Sequence, residues 1–233
     1  MITSFIKNII LETFYPRRCV NCGAFGQVVC INCARQVEIC QTSVCPECGK
    51  ITLNCAYCRA CKRRLKTALY GIFIASNYDR GPIKELIHHL KYSGFLELAL
   101  IIGEIMYQRI AKINFSNNCV IVPVPMFKKR EITRGFNQAE LLARYISNKL
   151  NKPGGLALER VINTKTQVGL SKKERINNIK GSIQCVDREL IFGKMVILVD
   201  DVVTTGATLS ECARVLKESG AKRVYGLVSA KRS

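Results

Sequence analysis

No stretch of the 233-residue chain approaches the ~18 to 20 consecutive apolar residues of a membrane span, which excludes a transmembrane helix. The apolar first fifteen residues lack a basic leader and a small-residue cleavage site, and Glu12 interrupts them, so they do not read as a secretion signal. Instead Ile2, Phe5, Ile6, Ile9, Ile10 and Phe14 share one helical face, the pattern of a helix that packs on the rest of the protein. A cytoplasmic location is expected. Acidic residues are scarce, 17 against 36 basic ones, and the formal net charge is +19. That excess calls for an anionic partner: a phosphorylated metabolite, nucleic acid or a membrane surface would each fit. Histidine is nearly absent, with two residues, and no side chain stands out as a general base.

Cysteine, by contrast, is abundant and uneven. Ten of the 13 lie between Cys19 and Cys61, while Cys119, Cys185 and Cys212 sit alone in apolar surroundings and read as small buried hydrophobes. Within the cluster stand four C-x-x-C pairs: Cys19/Cys22, Cys30/Cys33, Cys45/Cys48 and Cys58/Cys61. In a reducing compartment such pairs are read as metal ligands before disulfides. Two-residue spacing lets both thiolates of a knuckle face one tetrahedral ion, and eight ligands suffice for two structural Zn²⁺ sites. Each Cys₄ site carries a net −2, so two of them would lower the formal charge to about +15. Cys40 and Cys55 are left over, Cys55/Cys58 competes with Cys58/Cys61, and which pairs share an ion is open. Phe25 and Tyr57 are the only aromatics inside this segment, too few for the stacking platform that single strands use. Arg59, Lys62, Arg63, Arg64 and Lys66 make a basic exit from it, equally suited to nucleic acid or to solvent.

The richest stretch is Val196 to Thr208. Val196 to Val199 is a continuous apolar run, as in a strand buried on both faces of a parallel sheet. Asp200 and Asp201 follow, then Val202-Val203 and the turn Thr204-Thr205-Gly206-Ala207-Thr208. Leu209, Cys212, Ala213 and Leu216 then form a helical stripe, Gly220 stands at its expected C-cap, and Val224 to Val228 reads as the next strand. A loop between strand and helix lies on the ligand side of an open parallel sheet. Its free N–H groups and the helix dipole suit a phosphate, while the paired acids suit sugar hydroxyls, directly or through Mg²⁺. A sugar phosphate with vicinal hydroxyls satisfies both halves; the plain alternative is an acidic, Thr-rich βα turn.

Earlier segments fit the same architecture. Ala68 to Tyr78 alternates like a strand or hairpin, and Gly81-Pro82 opens a helix over Ile83 to Tyr92 that holds His88 and His89. Adjacent histidines point about 100° apart, so a shared ion is difficult and a structural role is expected. A helix follows near Leu96 to Ile113. Cys119 to Val122 is a second buried strand, ended by Pro123-Val124-Pro125. The loop beyond it carries Lys128, Lys129, Arg130 and Arg134, a cluster suited to a pyrophosphate, and a helix spans about Ala139 to Leu150. Leu158 to Ile162 reads as a strand and Asn163 to Gly169 as a polar loop, equally suited to close over a ligand or to run as a plain surface excursion. Ser171 and Glu174 form a capping box for a short basic helix with Lys172, Lys173 and Arg175.

The acidic, Thr/Gly-rich string resembles the PRPP-binding motif of type I phosphoribosyltransferases. Nearly the whole chain resembles the ComF/GntX family of competence proteins. The matching pieces are the cysteine pairs, Leu86 to Tyr92, the proline turn, Arg134 to Gln138, Thr166-Gln167 with Leu170 to Asn177, and Val199 to Thr208. The resemblance implies an α/β fold, a type I phosphoribosyltransferase-like domain over 67–233 with a five-stranded parallel sheet flanked by helices. It implies an N-terminal helix and double zinc ribbon over 1–66, and it favours Cys58/Cys61 as a ligand pair. PRPP with Mg²⁺ would be held by Asp200 to Thr208, with Asp200 and Asp201 on the ribose. The pyrophosphate would lie against Val124, Pro125, Lys128, Arg130 and Arg134. It further implies a part in DNA uptake during natural transformation; the basic charge would also allow single-stranded DNA as a partner, beside other competence proteins. Transfer of phosphoribose to an unidentified acceptor is one reading; a non-catalytic PRPP sensor that binds single strands is the other. Cys55 and Arg63-Arg64-Leu65 depart from the usual family pattern.

Overall fold

The computed structural model describes residues 17–163 and 172–232. The expected N-terminal helix, the loop from Thr164 and the Ser171 cap lie outside the described residues. The continuous apolar runs become a parallel sheet buried on both faces: β1 (Gly71–Asn77), β2 (Cys119–Pro123), β5 (Met195–Val203) and β6 (Arg223–Lys231), in the order β1-β6-β5-β2. Helices α3 (Ile83–Tyr92), α4 (Glu97–Ile110) and α6 (Gln138–Leu150) cover one face. Their stripes pack Leu86, Leu90, Ile102, Met106, Leu142 and Ile146 against Ile197 and Val199. Helix α9 (Ala207–Glu218) covers the other, setting Leu209, Cys212 and Leu216 on Val196 and Leu198. A small antiparallel pair, β3 (Leu158–Arg160) with β4 (Ile183–Cys185), lies beside it.

Among the described residues the sheet has four strands where five were implied. Along the outer edge of β2, the segment 153–155 makes a single parallel bridge: Ile121 N donates to the Pro153 carbonyl and Gly155 N to the Ile121 carbonyl. Pro153 has no N–H to give and two glycines follow it, so the pairing stops there. A short helix, α5 (Lys128–Arg134), stands where a basic loop was expected, and α7 (Lys172–Ile179) and α8 (Arg188–Ile191) complete the domain.

The ribbon contributes α1 (Ile31–Arg35) and α2 (Arg59–Leu65) and little else that is regular. Val28, Val29 and Val37 join the core that α3 and α4 share with the sheet, so the ribbon is docked and not suspended. The seam is tight at Gly71, where a Cβ would collide with the Cys55 carbonyl.

Candidate functional site

In the ribbon, Cys19, Cys22, Cys30 and Cys33 bring their sulfurs within 4.8 Å of one another, and Cys45, Cys48, Cys58 and Cys61 do the same. Consecutive C-x-x-C pairs therefore stand together, and Cys58 groups with Cys61 while Cys55 lies outside both clusters. The Cys30 N–H donates to Cys19 Sγ and the Cys58 N–H to Cys45 Sγ, both at 3.4 Å. Burial works to raise the Cys19 and Cys45 thiols, yet backbone N–H groups outweigh it and bring each down to about 6. Among crowded sulfurs the cost falls on a neighbour: Cys61, facing Cys58 and buried, is pushed up to about 12. A divalent ion at the centre relieves that competition, so the donor sets fit structural zinc.

The second centre lies at the carboxyl ends of β2 and β5. Strand β5 continues through the acids to Val203, where the sequence suggested that it stops at Val199. Successive side chains of a strand point to opposite faces, and the acidic pair is therefore split. Asp201 points toward the α3/α6 face and is 4% exposed. Lys91 Nζ on α3 lies 2.8 Å from its Oδ2, and Gln138 Nε2 on α6 donates to the same oxygen at 2.8 Å. Arg134 in turn donates to Gln138 Oε1 at 2.6 Å. Burial works to lower the Lys91 ammonium, but Asp201 more than compensates and holds it above its ordinary value.

Asp200 points the other way and, with Val202 to Leu209, lines a small recess. Burial, reinforced by the charge of Asp201, pushes its carboxyl up to about 7. Lys91 and Arg160 pull against that shift but do not cancel it. Gly206 takes φ +73°, a left-handed value that lets the chain turn into α9 at once, and Ala207 N approaches Thr205 Oγ1 at 3.4 Å. The recess therefore offers hydroxyls, main-chain N–H groups and a helix N-terminus beside one half-buried carboxylate.

Cations gather around that recess. Arg175 on α7 donates to Thr204 Oγ1 at 2.8 Å. Phe127 and Arg160 form a parallel bridge that brings β3 to the loop after β2. Arg160 is buried, and both that burial and the nearby Arg130 lower its pKa. Of the expected pyrophosphate set, Val124 and Pro125 are buried in the loop. The Val124 carbonyl is held by Asn137 Nδ2 at 3.2 Å, and Asn137 also caps α6. Arg130 and Arg134 are half-buried one helical turn apart on α5, and Lys128 is exposed. The sequence reading missed Lys91, Gln138 and Arg160 as members of this site. Lys91 and Gln138 stood inside strings noted for other reasons, but nothing in them marked a partner over 60 residues away.

Glu85, His88 and His89 also bring ligand atoms within 4.8 Å, closer than adjacent histidines were expected to come. Their rings are otherwise engaged. His89 Nδ1 is 3.0 Å from Ser93 Oγ, with its ring 6.1 Å from Phe95, and His88 lies 5.0 Å from Tyr92. Arg134 is 5.4 Å above the Tyr92 ring, which is 68% exposed. An aromatic and cationic strip thus borders the site.

Family models match two segments: a double zinc ribbon domain over residues 10–62 and a phosphoribosyl transferase domain over residues 95–233. Competence protein F of Haemophilus influenzae is 29% identical over 94% of this chain and 100% of that protein. Competence protein ComFC of Bacillus subtilis is 32% identical, over 82% and 79%. The DNA utilization protein YhgH of Escherichia coli K12 is also 32% identical, over 84% and 87%. Among the described residues no helix is long and apolar enough to cross a membrane.

Proposed function

The chain belongs to the ComF family of competence proteins, a double zinc ribbon joined to a phosphoribosyl transferase domain, and from that premise we propose that it binds PRPP in the recess after β5 and acts in the handling of incoming DNA. The observation that carries the reading is the split acidic pair. Asp200 faces the Thr/Gly turn and can accept from ribose hydroxyls, while the N–H groups of 204–208 and the start of α9 hold the 5′-phosphate. Asp201 anchors the wall through Lys91 and Gln138. Arg130 and Arg134, with Lys128 at the rim, supply the positive field for the pyrophosphate, and Val124-Pro125 shape its loop. Mg²⁺ chelated by the pyrophosphate would neutralise charge on the leaving group.

If the sugar is transferred, the C1–O bond to pyrophosphate breaks as an acceptor attacks C1. Asp200 then stabilises the positive charge that develops on the ribose ring. The test is thermal stabilisation of the zinc-loaded protein by PRPP with Mg²⁺. We expect a shift of several degrees for the wild type and none for Asp200→Asn. No shift at millimolar PRPP sinks the proposal.

A second reading, binding of single strands, rests on the strip of His88, Tyr92 and Arg134. Exposed aromatic and guanidinium planes accept bases of any sequence. This moves the expected contact surface from the ribbon to the edge of the transferase domain.

A further inference from the structure

Cys40 and Cys55 take no part in either zinc cluster. Both line a cavity of about 260 Å³ between the second knuckle and the carboxyl ends of β1 and β6, with Arg109, Ser76 and Asn77 among its walls. Arg109, on α4, is a buried cation with an unusual set of partners. It donates to the Ile74 and Thr42 carbonyls at 3.1 and 3.0 Å, and to Cys55 Sγ at 2.7 Å. Among the described residues no carboxylate pairs with it, so the sulfur is its one side-chain acceptor. A buried guanidinium demands an electron-rich partner, and here sulfur fills that place.

The sulfur is also held in position. The Cys55 N–H donates to Ser43 Oγ at 2.7 Å, and the residue sits in the left-handed region at φ +53°. Cys40 stands three residues before Ser43, with its own N–H fixed to the Ala75 carbonyl at 2.8 Å. Burial pushes the Cys40 thiol up, while the charge of Arg109 works to lower it.

We propose that Cys55 and Cys40 are an oxidant-sensitive thiol pair, Cys55 reacting with a hydroperoxide in the cavity and Cys40 resolving the product. In the first step the Cys55 sulfur attacks the peroxide O–O bond. An S–O bond forms, the O–O bond breaks, and the thiol proton goes to the departing oxygen, giving a sulfenic acid and an alcohol or water. In the second step the Cys40 sulfur displaces that hydroxyl, which leaves as water with the Cys40 proton, and an S–S bond closes. Cysteine is oxidised by two electrons and the hydroperoxide is reduced by two. The new bond closes a loop around Cys45 and Cys48 without using a zinc ligand, and a thiol reductant reverses it.

Zinc-loaded, full-length protein treated with a few equivalents of hydrogen peroxide, then alkylated and analysed by peptide mass spectrometry with zinc release followed in parallel, tests this. The Cys40–Cys55 disulfide should form before zinc leaves, and at least ten times faster than oxidation of Cys185. In Cys40→Ser the disulfide disappears and Cys55 is trapped by dimedone as the sulfenic acid. Arg109→Gln should slow the reaction about tenfold; if that variant does not fold, Cys40→Ser decides alone. Loss of zinc while Cys40 and Cys55 remain alkylatable would overturn the assignment. So would a Cys55 no more reactive than Cys185.

Discussion

Replacing each of two adjacent aspartates with asparagine should move stability in opposite directions. Asp201→Asn leaves the Lys91 ammonium, whose side chain is 21% exposed, without its carboxylate. Breaking a buried pair by removing one partner costs ~3–5 kcal/mol. Gln138 and the partial exposure of Lys91 place the expected loss near ~3 kcal/mol, roughly 6–12 °C in Tm for a chain of this size. Asp200→Asn removes a carboxyl that burial and Asp201 penalise, and the amide oxygen can still accept from Asp201 N, now 2.8 Å from Asp200 Oδ1. It should stabilise the fold by on the order of 1–2 kcal/mol at pH 8. The sign follows from linkage. The folded state holds the Asp200 proton more tightly than the unfolded chain, with a value of about 7 against 3.8. Its contribution to stability is therefore fully present below 3.8, falls as pH rises toward about 7, and is flat above. The gain from Asp200→Asn should accordingly be complete at pH 8 and gone below pH 4. Urea midpoints of the zinc-loaded proteins at pH 6, 7 and 8, where the thiolates still hold zinc, measure the growth of that gain directly. If both variants shift the midpoint the same way at pH 8, or Asp201→Asn changes stability by less than about 0.5 kcal/mol, the inward-facing ion pair is wrong.

Other outcomes follow from the same geometry. Elemental analysis should find two zinc ions per chain in the wild type and in Cys55→Ser, but one in Cys58→Ser, because Cys55 lies outside both clusters. Gly206→Val, forced into φ +73° beside Thr205, should abolish the PRPP-dependent thermal shift while zinc content stays at wild-type level. Tyr92→Ala and Arg134→Ala should each weaken binding of a labelled oligo-dT by about 1–3 kcal/mol in fluorescence anisotropy, and an unchanged affinity would remove the strip from consideration.

The parts of the fold that depend on local pattern were legible in the chain. Val196 to Val199 announced a buried strand, the Leu209 stripe a helix, and the C-x-x-C spacing a set of metal knuckles. What was not legible depends on where a strand ends or on which distant residue arrives beside it. Asp200 and Asp201 look equivalent as neighbours in sequence, and they would be so in a loop. Because β5 runs on to Val203, the two-residue period of the strand sends one carboxylate to the recess at the start of α9 and the other into the core. A lone carboxylate there would be too costly to keep charged, so the fold must supply a cation, and it does so from α3, 110 residues earlier. The same logic accounts for Arg109: nothing in Ile105 to Ile110 distinguishes it from a helix-end cation, yet burial commits it to whatever acceptor the ribbon places opposite, and that acceptor is Cys55. In both places the informative residue is a buried charge, and its role is set by the partner that three-dimensional packing brings to it.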